Sequence, residues 1–158
     1  VWEERPPQDA VVLDLFSGTG TITQLLAQGQ PGATVIGVEI VPEAVEDARA
    51  NAASNGLEDL SFIAADVGHF LLENPQHQGK IHTVVLDPPR AGIAPKTLRK
   101  VMRLGAQRMV YISCNPATQA RDLAVLQEWG YRLEKFSLVD QFPQTAHIES
   151  IALLRAGG

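Results

Sequence analysis

Short apolar runs recur along the chain, and most end on a polar residue beside a turn. Ala10-Val11-Val12-Leu13-Asp14-Leu15-Phe16 is apolar apart from one acid, the pattern of a parallel strand buried on both faces. Thr34 to Val38 repeats the pattern and ends at Glu39; Leu60 to Ala65 ends at Asp66, and Ile81 to Leu86 ends at Asp87. A fifth run, Arg108 to Ser113, leads into Cys114. Between the runs the apolar spacing changes to that of helices. Helices are predicted from Ile22 to about Ala27, Pro42 to Ser54, Gly68 to Glu73, Pro95 to Leu104 and Ala117 to Trp129. Pro42 suits a first helical turn, and Asn55-Gly56 suits a stop. After Gly130 come two more strands, Tyr131 to Val139 and His147 to Arg155, with no helix between them.

Strands alternating with helices imply βαβ units. The expected fold class is therefore α/β: a doubly wound, mostly parallel, Rossmann-like sheet of seven strands, with the last two as an antiparallel pair at one edge. Residues 1–9 lack a starting methionine, are rich in proline and charge, and read as a linker. The domain is expected over residues 10–158, and the chain as a piece of a longer protein. No internal repeat or low-complexity tract interrupts it.

Composition narrows the picture modestly. A 45% hydrophobic and 20% charged chain of 158 residues is ordinary for a soluble globular domain with a substantial core. No apolar run approaches the roughly 20 residues of a membrane span, and Val1-Trp2-Glu3-Glu4-Arg5-Pro6-Pro7 does not resemble a signal peptide. A single cysteine excludes an internal disulfide and fits a reducing, cytoplasmic setting. A net charge of −5 is not the basic balance of a typical nucleic-acid binder. If RNA is the substrate, its phosphates must meet a local surface or a part outside this chain.

In open α/β sheets ligands bind beyond the carboxyl ends of the strands, so the run tips hold the candidate chemistry. Asp14-Leu15-Phe16-Ser17-Gly18-Thr19-Gly20-Thr21 is a glycine-rich turn that lets a ligand approach the backbone and a helix N-terminus. Alone it is equally well a tight strand-to-helix connection. A dinucleotide fingerprint would place glycine three residues after Gly20, where Thr23 stands. Asp14 is available to a cationic amino group, Glu39 to ribose hydroxyls and Asp66 to an adenine edge, a set that suits a cationic adenosyl ligand better than a pyrophosphate. These residues resemble the S-adenosylmethionine site of Rossmann-like methyltransferases. Asp87-Pro88-Pro89-Arg90 then forms a rigid loop after the fourth strand.

The remaining candidates each have a plain structural reading. A lone cysteine is usually a small buried hydrophobe. Glu149 shares a strand face with His147 and Ile151 and could be a solvated edge charge. Arg121-Asp122 is either a loop or phosphate clamp or a surface ion pair. Lys96, Arg99, Lys100 and Arg103 lie on one side of a helix whose Leu98, Val101 and Met102 face the core; a solvated face is favoured there over RNA contact.

Three blocks carry a specific resemblance. Leu86-Asp87-Pro-Pro-Arg-Ala-Gly92, Tyr111-Ile-Ser-Cys-Asn-Pro-Ala-Thr118 followed by Ala120-Arg121-Asp122, and Phe142-Pro-Gln-Thr-Ala-His147-Ile-Glu149 resemble the signature blocks of RNA uracil-carbon-5 methyltransferases. They fall in family order and spacing, and the likeness covers nearly the whole chain as that family's C-terminal catalytic domain. It implies S-adenosylmethionine as cofactor, no metal, a uridine of rRNA or tRNA as substrate, and a monomer. By resemblance Cys114 is the nucleophile and Glu149 the base, while Phe16, Gly18, Thr21, Glu39, Asp66 and Asp87 contact the cofactor. Phe16 and Thr21 stand where the family often carries tyrosine and asparagine. The family's RNA-binding N-terminal domain has no counterpart in this chain. Two rivals are a methyltransferase acting on another substrate and a cofactor-binding module without turnover.

Overall fold

The computed structural model describes residues 10–142 and 147–157, with side chains over 10–139 and 149–157. The proposed linker at 1–9 and the segment 143–146 lie outside the described residues. In chain order the elements are β1 (Val11–Leu15), α1 (Thr21–Gly29), β2 (Thr34–Glu39), α2 (Pro42–Ser54), β3 (Leu60–Ala64) and α3 (Val67–Glu73). A short 3-10 turn at Pro75–His77 precedes β4 (Ile81–Leu86), α4 (Pro95–Arg103), β5 (Arg108–Ser113), α5 (Pro116–Trp129), β6 (Tyr131–Phe142) and β7 (His147–Ala156).

The seven strands form one sheet in the order β3-β2-β1-β4-β5-β7-β6. The first five run parallel, and β7 runs antiparallel to both β5 and β6. The expected antiparallel pair is present, but its order is not that of the chain. β7 inserts beside β5, and β6 becomes the edge. Burial explains the choice: Ser150, Ala152 and Leu154 of β7 are buried and the intervening Ile151 and Leu153 half-buried, whereas Arg132 through Val139 of β6 are exposed. A strand carrying charges along both faces is tolerated at an edge and not inside a sheet.

Each central strand divides its side chains between the two faces. Leu13 and Leu15 of β1 join Leu86, Leu98, Met109 and Tyr111 in the larger core, while Val12 packs with Leu26, Val35, Val85 and Val110 on the other side. A separate cluster of Val45, Ala48, Ala52 and Phe62 seats α2 against β3. Phe62 also explains Gly20. The φ of Gly20 is +85°, and an added Cβ would lie 2.7 Å from the Phe62 ring, so only glycine lets the first turn pack this closely.

Candidate active site

The parallel register brings the strand tips level. Leu15 pairs with Val38 on one side and Leu86 on the other, so Phe16, Glu39 and Asp87 emerge side by side at the carboxyl edge. Backbone bonds extend this beyond the ladder: the Ser17 amide donates to the Val38 carbonyl at 2.9 Å, and the Ala65 amide to the Glu39 carbonyl at 2.9 Å. Phe16 has φ +65°, unusual for a bulky residue, and its half-buried side chain packs on the main core. Strain at such a position is characteristic of sites where the backbone is aimed at a ligand.

The glycine turn fits a nucleoside-bearing cofactor. Gly18 has φ +58° with open space where a Cβ would stand, so the backbone presents a bare surface. Its amide donates to Glu39 Oε1 at 3.0 Å, while Glu39 Oε2 accepts from the Val41 amide at 3.0 Å. The carboxylate is thereby fixed, and each oxygen keeps a lone pair for an incoming hydroxyl. Thr21, the first residue of α1, and Asp66 are both exposed. Asp66 accepts from the His69 amide at 3.0 Å, capping α3.

Asp14 behaves differently from the open acceptor expected at the end of the first strand. It is buried within β1, and its Oδ2 accepts from the Thr23 hydroxyl. Its Oδ1 is buried with no partner among the described residues, an orphaned acceptor beneath the glycine turn that a cationic ligand would satisfy. Burial pushes its pKa up to about 7, with the charges of Asp87 and Glu39 adding to the rise against the lowering effect of Thr23. Asp87 is raised to about 6, mainly by burial and then by the charge of Glu149. The folded state therefore holds a proton on Asp14 that the unfolded chain loses near pH 4. Stability from this proton is full below that pH and lost as pH rises through 7. Thermal melting is expected to fall between pH 5 and 8, and Asp14→Asn to flatten that slope, with a gain of about 2–4 kcal/mol at pH 8. A wild-type melting temperature that stays level across the range would refute this account.

Cys114 is an exposed free thiol immediately after β5. The β5–β7 register pairs Ile112 with Ile151 and Ser113 with Ser150. Cys114 follows the last paired residue of β5, and Glu149 precedes the last paired residue of β7. Two buried polar residues, Gln119 and Ser150, fix the end of that ladder. Gln119 of α5 donates from Nε2 to the carbonyls of Tyr111 and Ser150 at 3.1 and 3.3 Å, and the Ser150 hydroxyl donates to Gln119 Oε1. The strand ending at the thiol, the helix after it and the strand bearing Glu149 are thus riveted together. His147 begins β7, and its side chain lies outside the described residues.

The Asp87 loop is held by the same helix. Asn115 caps α5, accepting from the Ala117 amide at 3.2 Å, while its Nδ2 donates to the Arg90 carbonyl at 3.1 Å. Thr118 Oγ1 also reaches that carbonyl at 3.1 Å, and Arg121 Nη2 the Ala91 carbonyl at 3.1 Å. Asp122 accepts from the Ile93 amide at 3.0 Å and from the Tyr111 hydroxyl at 2.6 Å. Gly92 has φ +81°, which side chains rarely adopt, and an added Cβ would lie 2.9 Å from the buried Asp122 Oδ2. Arg121 clamps the loop and pairs with Asp122 at 3.2 Å, but Asp122 is buried, so the plain surface ion pair does not hold. Gln119 and Ser150 escaped the sequence reading, and Asp122 entered it only as the partner of Arg121. Their signal was present on α5, where Gln119 and Asp122 occupy the helical stripe that continues as Leu123 and Leu126.

A doubly wound sheet with this strand order, a glycine turn and acids at neighbouring tips defines a Rossmann-like methyltransferase domain. The chain belongs to the methyltransferase domain family, whose model matches residues 7–149. Within it the relatives are those the motif blocks led one to expect. The 23S rRNA (uracil(1939)-C(5))-methyltransferase RlmD of Pseudomonas aeruginosa is 47% identical over 152 residues, 96% of this chain and 33% of that protein. An uncharacterized RNA methyltransferase of Clostridium acetobutylicum is 44% identical over 144 residues, 91% of this chain and 30% of that protein. The Pyrococcus abyssi tRNA (uracil-54, C5)-methyltransferase, solved with S-adenosyl-L-homocysteine, aligns with TM-score 0.79 at 35% identity over 92% of this chain and 34% of its own. The chain spans about a third of the length of the curated relatives it matches.

Proposed function

We propose that this chain is the catalytic part of an S-adenosylmethionine-dependent RNA methyltransferase that modifies carbon 5 of a uridine through a transient bond to Cys114. The observation that supports the reading is the β5–β7 register, whose last pair, Ser113 with Ser150, lies next in sequence to both Cys114 and Glu149. Phe16, Gly18, Thr21, Glu39, Asp66 and Asp87 would hold the cofactor, whose sulfonium supplies an electrophilic methyl group. Carbon 5 of uracil is too weakly nucleophilic to accept it unaided. The Cys114 thiolate adds to carbon 6, and the electron pair moves to make carbon 5 the nucleophile. After carbon 5 gains the methyl group, Glu149 removes its proton, and the thiolate leaves from carbon 6 as the double bond re-forms. Atoms and electrons balance: the uridine exchanges one hydrogen for a methyl group, and the enzyme thiol returns unchanged.

RNA carrying 5-fluorouridine tests this directly, because fluorine cannot leave as a proton does. A stable protein–RNA adduct is expected by denaturing electrophoresis and mass spectrometry, and its loss in Cys114→Ser. An adduct retained in that variant would assign the nucleophile elsewhere. A cofactor-binding module without turnover is the competing reading, favoured by the one-third coverage of the relatives. Calorimetric binding of S-adenosylmethionine with no methylated or trapped RNA would mark it.

A further inference from the structure

The charges of this chain are segregated along its length. Residues 10–87 carry ten Asp or Glu and two Lys or Arg, whereas residues 88–121 carry seven Lys or Arg and no acid. Of those seven only Arg108 is buried, and Lys100 is half-buried with its Nζ 3.3 Å from the Gly68 carbonyl. Arg90, Lys96, Arg99, Arg103 and Arg121 are exposed. Among the described residues, none of Arg90, Lys96, Arg99 and Arg103 forms an ion pair.

Their placement is as informative as their number. The Arg90 carbonyl is held by Asn115 and Thr118, and Arg121 reaches the Ala91 carbonyl, so both arginines flank the turn beside Cys114. The same loop runs directly into α4. Lys96, Arg99 and Arg103 sit at i, i+3 and i+7 there, one stripe facing away from the buried Leu98, Val101 and Met102. Unpartnered like charges repel one another and favour an anionic partner. Guanidinium groups match phosphate oxygens in pairs, which suits a chain of phosphodiesters.

We infer that Arg90, Lys96, Arg99, Arg103 and Arg121 form a phosphate-binding margin along which the substrate RNA backbone runs to the Cys114 opening. This rests on the RNA reading above and adds where the strand lies. It takes the α4 cations as RNA contacts in place of the solvated face favoured from the sequence, and it would supply the local basic surface that the net charge of −5 conceals.

The test uses fluorescence anisotropy with a uridine-containing RNA hairpin over a potassium chloride series. Lys96→Glu/Arg99→Glu is expected to weaken binding at least tenfold near 0.1 M salt. It should also reduce the salt slope by nearly two, at roughly 0.9 per lost phosphate contact. Binding of S-adenosylmethionine and the melting temperature should hold. The charge-matched control Lys80→Glu/Arg132→Glu, at exposed positions outside the 88–121 segment, should change RNA affinity far less. Equal losses in the two pairs, an unaltered slope, or no RNA binding by the wild-type chain would each overturn the inference. The 5-fluorouridine trap keeps the two ideas apart. α4-dependent RNA binding without any adduct upholds the margin and removes the Cys114 mechanism. An adduct that forms as readily with α4 reversed upholds the mechanism and removes the margin.

Discussion

In Glu149→Gln, a protein–RNA adduct is expected to accumulate on unmodified uridine while turnover falls about a hundredfold or more, the usual contribution of a positioned general base. The amide keeps the shape of the side chain and loses its ability to take a proton, so carbon 5 receives its methyl group and the thiolate is then trapped on carbon 6. Mass spectrometry of the adduct should find the added methyl group, which separates failed release from failed transfer. The substitution also removes the charge that helps raise Asp87, so Asp87 should ionise at lower pH and cofactor binding should persist further into acid. A variant with near-normal turnover would place the base elsewhere.

Asp122→Ala should destabilise the fold by about 3 kcal/mol and depress methylation further than that loss alone explains. The Asp122 side chain is 3% exposed, whereas that of its partner Arg121 is 57% exposed, so the ion pair is the weaker part of its role. Removing the carboxylate strands the Tyr111 hydroxyl and the Ile93 amide, both donors without water to replace their acceptor. It also releases one anchor of the loop that carries Asp87. Denaturant titration gives the first quantity. The methylation rate measured well below the melting transition gives the second, and an unchanged rate would show that the remaining Asn115, Thr118 and Arg121 anchors suffice.

Most element boundaries were legible because strand runs are apolar on both faces and stop at polar tips. α5 begins one residue earlier than expected, at Pro116, which suits the first turn, and β6 runs past Val139 to Phe142. The order of the last two strands was not legible. Period-two alternation assigns side chains to faces and says nothing about which neighbour a strand pairs with. The strand tips proposed to hold the cofactor stand out in the sequence as isolated acids in series. The clamp between the Asp87 loop and α5 was hidden, since Asn115, Thr118 and Asp122 act largely on backbone atoms that no residue type reveals. Arg121-Asp122 looked like a surface pair because adjacent residues on a helix point to different sides, and only packing distinguishes the exposed member from the buried one.

The insertion of β7 between β5 and β6 has a temporal consequence. Every residue proposed to hold the cofactor lies between Phe16 and Asp87, and all of them leave the ribosome before the thiol does. Cys114 follows, just after a β5 whose far edge stays unpaired while α5 and β6 are translated, because β6 does not pair with it. Only when Ser150 arrives can Gln119 close its bonds to β7, the strand that carries Glu149. A nascent chain would therefore present the proposed cofactor residues and the cysteine before Glu149 is made, and the open edge of β5 is the place where interrupted synthesis would leave it prone to aggregation.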